Sequence, residues 1–135
     1  MNAAPLPGAV AAAEARAAKS AADDGWQAFS PVRVESLAAA GRPVFVDFTA
    51  AWCVTCQVNK RLVLNDPDVI AAFGRRNVAL VRADWTRRDP EITQALAALG
   101  RNGVPVYVLH RPGKSPLVLP EVLQAAMIHD ALSTL

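Results

Sequence analysis

The sequence predicts an α/β domain in which a central mixed β-sheet is flanked by helices. Three observations carry this. Three short runs rich in β-branched and aromatic residues, at 44–49, 78–83 and 104–109, have the length and composition of buried strands. Segments with helix start and stop signals separate them. A turn sequence, Arg111-Pro112-Gly113-Lys114, follows the third run and folds the chain back on itself. At 135 residues, 53% of them hydrophobic, the chain is long enough for one domain with one substantial core.

Residues 1–25 stand apart. Eleven of these 25 are Ala, with Pro5, Pro7 and Gly8 near the start. The Ala9–Ala22 stretch has helix propensity but no apolar stripe, because Ala occupies every face. It does not read as a signal peptide, since no basic residue precedes it and Glu14 and Arg16 interrupt it. This segment is expected to be a linker or tail, and residues 26–135 the folded domain.

Ser30-Pro31 starts the first helix, with Ser as N-cap and Pro at the first helical position. Gly41 ends it near Ala40. Val44–Thr49 is the first strand, apolar on both faces except at Asp47. A helix then runs from about Cys53 to Leu64 until Asn65-Asp66-Pro67 breaks it, and a shorter one covers Pro67–Phe73. Val78–Ala83 is the second strand. Asp89-Pro90 caps a helix that ends at Gly100. Val104–Leu109 is the third strand, Leu117–Leu119 returns antiparallel, and Gln124–Leu135 closes the chain as a helix. The β-α-β half implies parallel strands and a right-handed crossover, and the closing hairpin implies antiparallel pairing.

Composition excludes several functions. A net charge of +2 with scattered basic residues gives no basis for nucleic-acid binding. The doublets Arg75-Arg76 and Arg87-Arg88 read as solvated loop ends. No apolar stretch approaches the ~20 residues of a membrane span, so no direct membrane insertion of this segment is expected.

The chemistry concentrates in Cys53-Val54-Thr55-Cys56, which holds the only two cysteines of the chain. A pair this close closes a very short loop and constrains little of the unfolded chain, so structural stapling explains it poorly. Zinc needs about four ligands, and His110 and His129 lack motif spacing, so no metal is expected. A dithiol delivered by a strand to a helix N-terminus instead points to thiol–disulfide exchange. Unpaired backbone N–H groups and the helix dipole there favour the thiolate. Cys53 is therefore assigned as the exposed attacking nucleophile. Cys56, one turn into the helix, is the more buried resolving thiol. Val54 and Thr55 carry no charge to stabilise a thiolate, which favours a reductant or intermediate carrier. Lys60 works in the opposite direction if its ammonium lies near the sulfurs.

The segment Phe45-Val46-Asp47-Phe48-Thr49-Ala50-Ala51-Trp52-Cys53-Val54-Thr55-Cys56 resembles the active-site strand and turn of thioredoxin-fold proteins. Gly103-Val104-Pro105 is similar to their cis-proline loop. More narrowly, Thr49–Lys60 and Ala83-Asp84-Trp85-Thr86 resemble the C-terminal periplasmic domain of the DsbD/ScsB family of membrane thiol:disulfide interchange reductases. The resemblance covers residues 26–135 and implies a thioredoxin fold. It implies a protein-disulfide reductase that relays two electrons through the Cys53/Cys56 pair. The donor would be a membrane-embedded domain, and the acceptors periplasmic dithiol or disulfide proteins met transiently by a monomer. No organic cofactor is expected, because the dithiol carries the electrons. The implied location is the bacterial periplasm, with residues 1–25 as a tether to the inner membrane in the full-length protein.

The resemblance also adds to the residue readings. Asp47 lies six residues before Cys53 in an apolar strand; burial would raise its pKa and poise it to exchange a proton with Cys56. A carboxylate that merely caps backbone or meets solvent at the sheet end is the alternative. Pro105 is expected to be cis, bringing the Val104 backbone beside Cys53 to pair with an extended substrate segment. Trp52 would shield the dithiol or join the docking surface, with simple packing an equal reading. Trp85 is expected to pack at the same end of the sheet. Two departures stand out. Lys60 occupies a position where better-known members carry Glu, and the second strand offers Arg82 where classical thioredoxins place a Lys facing the buried Asp. The alternatives kept open are a free-standing thioredoxin-like oxidase or isomerase and a redox-inactive binding module on the same fold.

Overall fold

Runs of β-branched and aromatic residues form the middle of a five-stranded sheet in the structure, a computed structural model that describes residues 25–135. The expected tail lies, but for Gly25, outside the described residues. The strands are β1 (Gln27–Ala28), β2 (Val44–Thr49), β3 (Ala79–Asp84), β4 (Val106–His110) and β5 (Leu117–Val118). Their spatial order is β1-β3-β2-β4-β5. β1 and β2 both pair with β3 in parallel, and β4 is antiparallel to β2 and β5. The sheet is thus mixed, as the sequence predicts. β1 is an addition, since two residues carry no periodicity from which a strand could be read.

The helices are α1 (Pro31–Ala39), α2 (Val54–Asn59), α3 (Pro67–Arg75), α4 (Pro90–Ala98) and α5 (Ala125–Leu132). Ser30, Asp66 and Asp89 cap α1, α3 and α4, each side chain accepting a backbone N–H of the first turn and each followed by Pro at the helix start. The helix expected over residues 53–64 is not uniform. After Asn59 it widens into a π-helical turn over Lys60–Leu64, closed by the Asn65 N–H donating to Lys60 O at 2.9 Å. The wider turn places Val63 and Leu64 together in the core.

Alternation along β2 sorts side chains onto two faces. Phe45 joins Leu64, Phe73, Tyr107 and Ile128 in the core under the π turn, α3 and α5. Val44, Val46 and Phe48 join Val81, Leu96 and Val108 in the core under α1 and α4. Asp47 and Thr49 share the Phe45 face, so β2 places two polar groups beneath the helix that carries the cysteines. β4 begins at Val106 rather than Val104, because Pro105 has no N–H to give the ladder.

Candidate active site

β2 ends at Thr49, and four residues later the chain reaches Cys53, the N-cap of α2. Cys53 has extended backbone (φ −89°, ψ 107°), and its Sγ accepts the Cys56 N–H at 3.1 Å. The sulfur itself therefore occupies the position where helix N-termini leave donors unpaired. Cys53 and Cys56 form a disulfide with a Cα–Cα separation of 5.2 Å. Cys56 is 2% exposed and Cys53 8%. The order of exposure follows expectation, but Cys53 is not openly exposed. Ala50 and Val104 pack against the pair and cover most of it. Val54 and Thr55, between the cysteines, face solvent. The Val104–Pro105 peptide bond is cis.

Asp47 is 1% exposed. Its Oδ2 accepts from Arg82 Nε at 3.2 Å, across a register in which the two residues face each other on β2 and β3. Oδ1 has no hydrogen-bond partner. Burial pushes the carboxyl above its ordinary value, and the opposing charges of Arg82 and, less, Lys60 only partly offset this. The Arg82 guanidinium lies 4.2 Å from the Trp26 ring centroid, which holds it flat against the indole. A cleft of about 270 Å³, lined by Thr49, Gln57, Lys60, Arg82, Asp84 and Thr86, opens beside the active-site turn and reaches Arg82.

The loop after β3 braces the active-site turn. Trp85 N–H donates to Thr49 O at 2.7 Å, Ala51 N–H to Thr86 Oγ1 at 2.8 Å, and Trp52 Nε1 to Thr86 O at 3.1 Å. Trp52 remains 49% exposed, whereas Trp85 is buried with Nε1 bonded to Thr93 Oγ1. Their ring centroids lie 6.0 Å apart. The Arg88 guanidinium sits over both rings, 5.2 Å from the Trp52 centroid and 5.1 Å from that of Trp85. Arg88 thus packs against Trp52 and Trp85 and is not merely a solvated loop end.

Asn59 anchors the far end of α2. It is 2% exposed; Nδ2 donates to Tyr107 OH at 2.8 Å and Glu121 O at 2.7 Å, and Oδ1 accepts the Leu123 N–H at 3.1 Å. Tyr107 faces Asp47 across β2 and β4, and burial together with that carboxyl raises its pKa. The structure therefore brings the buried Cys53 and Cys56 together with Val104, next to the exposed Trp52, with Asp47 on the sheet and Lys60 at the start of the π turn. Sequence reasoning missed Thr86 as a brace, Arg88 as a packing partner of the two indoles and Asn59 as an anchor. The signals were slight: Thr86 closes a segment quoted for its resemblance, and Asn59 is a polar residue one turn past Cys56 on the buried side of the helix.

Among the described residues no group of three or more His, Cys, Asp or Glu side chains is placed to hold a metal ion. The arrangement supplies a redox-capable sulfur pair, a helix-terminus donor and a nearby buried carboxyl. Those are the parts of a thiol–disulfide exchange centre.

The chain is similar to known proteins in sequence and fold. A thiol:disulfide interchange protein DsbD from Ralstonia nicotianae is 45% identical over 75 residues, 56% of this chain and 12% of the relative. DsbD 1 of Pseudomonas aeruginosa is 36% identical over 74 residues, 55% of this chain and 12% of the relative. The chain thus spans a small fraction of the length of these relatives. The oxidised C-terminal domain of Neisseria meningitidis DsbD superposes with a TM-score of 0.65 at 24% identity, covering 79% of this chain and 96% of that domain. A thioredoxin from Thermus thermophilus superposes at 0.64 and 23% identity, covering 82% of this chain and 86% of that protein. Residues 25–112 match the family described as thioredoxin-like, and the chain belongs to that family.

Proposed function

We propose that this domain is a protein-disulfide reductase that relays two electrons through Cys53 and Cys56, from a membrane-embedded donor domain to disulfide-bearing proteins of the bacterial periplasm. The observation that carries the reading is the Cys53–Cys56 disulfide at the start of α2, with Cys53 Sγ accepting a helix N–H and Val104-Pro105 beside it. The likeness of the active-site segment to DsbD proteins supports the direction of flow and the location. Among the described residues no helix is long and apolar enough to cross a membrane, so the donor domain would be a separate part of the protein or another chain.

In the reduced state the Cys53 thiolate attacks a partner disulfide. The partner S–S bond breaks, a mixed disulfide forms, and one partner sulfur leaves as thiolate. Cys56 then attacks Cys53 Sγ, closing the internal disulfide and releasing the second partner thiol. Free Cys has a pKa of about 8.5, so both steps gain from groups that favour thiolate. The helix N–H serves Cys53. Asp47, its carboxyl raised by burial, would exchange the Cys56 proton. Val104 and Pro105 would present backbone to an extended partner segment, with Trp52 on the other flank. Val54 and Thr55, uncharged and solvent-facing, leave the poise of the pair to its surroundings.

A second reading is favoured by one feature. Lys60 lines the cleft beside the active-site turn, and a cation close enough to the sulfurs would stabilise thiolate and make the disulfide a better oxidant. A redox titration of the pair in thiol buffers, read by mass after alkylation, separates the two. A potential at or below roughly −220 mV supports the reductase, and one near roughly −120 mV makes the domain a disulfide donor. A pair that does not cycle turns the domain into a binding module on a thioredoxin fold. Cys56→Ser is expected to accumulate the mixed disulfide at Cys53, which the same mass measurement detects.

A further inference from the structure

We propose that Arg88, stacked on Trp52 and Trp85, is a docking residue that selects partner segments bearing a carboxylate beside the cysteine that meets Cys53. This rests on the exchange reading above and names the class of substrate.

Four observations converge on Arg88. Its backbone lies in the left-handed region (φ 54°), which a side chain other than Gly rarely adopts. Positions held against that preference cluster at binding sites. The conformation is fixed locally: Arg88 N–H donates to Trp85 O at 2.9 Å, and Arg88 O accepts from Thr93 Oγ1 at 3.4 Å. The guanidinium carbon is nearly equidistant from the two indoles, at 5.2 and 5.1 Å. A guanidinium held over aromatic rings by cation–π attraction keeps N–H donors for a bidentate carboxylate.

Among the described residues no hydrogen bond or ion pair takes those donors. The neighbouring acids are committed elsewhere: Asp84 accepts from Thr86, and Asp89 accepts the Glu91 N–H as cap of α4. Among the described residues no carboxylate pairs with Arg88. The cation sits on a residue adjacent to the nucleophile in sequence, since Trp52 precedes Cys53. Trp52 is half exposed and Val54 is 77% exposed. A segment that reaches the disulfide thus meets an apolar floor with one oriented cation at its rim. The complementary occupant is an extended, disulfide-bearing polypeptide with an apolar residue for Trp52 and an Asp or Glu close to its cysteine. Electrostatic complementarity of this kind acts chiefly on association rate and partner choice.

The test uses the pre-reduced protein in single turnover with three disulfide-bonded synthetic peptides that carry Glu, Gln or Lys beside the reacting cysteine. Rates are read by acid quench, alkylation and mass. The Glu peptide is expected to react about tenfold faster than the Gln peptide and the Lys peptide slower still, with the differences shrinking at high salt. In Arg88→Gln the Glu-to-Gln ratio should fall to about one. Arg88→Gly, which suits the left-handed backbone and so guards against misfolding, should give the same ratio. Arg88→Lys, which keeps charge but not the planar fork, should retain part of the preference. Equal rates for the three peptides, or a Glu-to-Gln ratio unchanged in Arg88→Gly, overturn the proposal while leaving exchange standing. If no peptide is reduced, the exchange reading falls and the proposal with it.

Discussion

Asp47 and Arg82 face each other in register on parallel neighbouring strands, joined by one hydrogen bond at 3.2 Å that leaves the second carboxylate oxygen, Oδ1, without a partner. A fully paired carboxylate would have its pKa lowered; here burial outweighs Arg82 and the pKa is raised. A raised pKa is what the proton-carrier role proposed for Asp47 would require.

Asp47→Asn removes that carrier. Exchange is expected to slow by about a hundredfold, as for loss of a general acid–base group, with a flattened pH–rate profile. Stopped-flow kinetics across pH checks this, and unchanged profiles would remove Asp47 from the mechanism. Stability should move the opposite way. With its folded pKa above the unfolded one, Asp47 makes the native state bind more protons than the unfolded state, so stability falls as pH rises from the unfolded value of about 3.9 towards the folded one. Asp47→Asn should thus be more stable than the parent near neutral pH, with the gap closing as pH drops below about 4. Urea unfolding at the two pH values measures it.

His110, at the end of β4, has its pKa lowered by burial. The native state then binds fewer protons than the unfolded state, and stability is lost as pH falls through the unfolded value of about 6.5. His110→Gln should remove that part of the decline between neutral and mildly acid pH, visible in thermal melts.

Asn59→Ala deletes three buried hydrogen bonds and strands the Leu123 N–H. A cost of about 3 kcal/mol is expected. Hydrogen exchange at Leu123 should accelerate beyond what the global loss explains, because Asn59 bonds both Glu121 O and the Leu123 N–H.

Thr86→Ala takes the acceptor from Ala51 N–H while Thr86 O still holds Trp52 Nε1. It should cost about 1 kcal/mol and speed exchange of the Ala51 amide. A silent variant would show that the turn keeps its shape without this brace.

What the sequence made legible and what it did not follow physical lines. β2, β3 and β4 could be read because a buried strand must be apolar, and α1, α3 and α4 because Ser30, Asp66 and Asp89 each precede a proline at a helix start. Cys53, Cys56 and Asp47 announced themselves as reactive or polar residues in places that demand a reason. β1 stayed invisible because two residues pair only once β3 is in place. The π turn after Asn59 depends on which side chains the sheet admits. Arg88 could not be distinguished from Arg87 in the sequence, since the left-handed backbone that stacks it on two indoles comes from the tertiary loop. Cys53 was read as openly exposed because Val104, fifty-one positions away in the chain, is what covers it.

That cover has a kinetic consequence. With Ala50 and Val104 packed against the pair, Cys53 leaves only a small opening to solvent and is 8% exposed. Whatever charges the dithiol and whatever discharges it must come to the same opening in turn. On the proposed relay, donor and acceptor are mutually exclusive visitors, told apart by the oxidation state they find. Turnover should therefore be ping-pong, with parallel double-reciprocal plots and inhibition by excess of either partner.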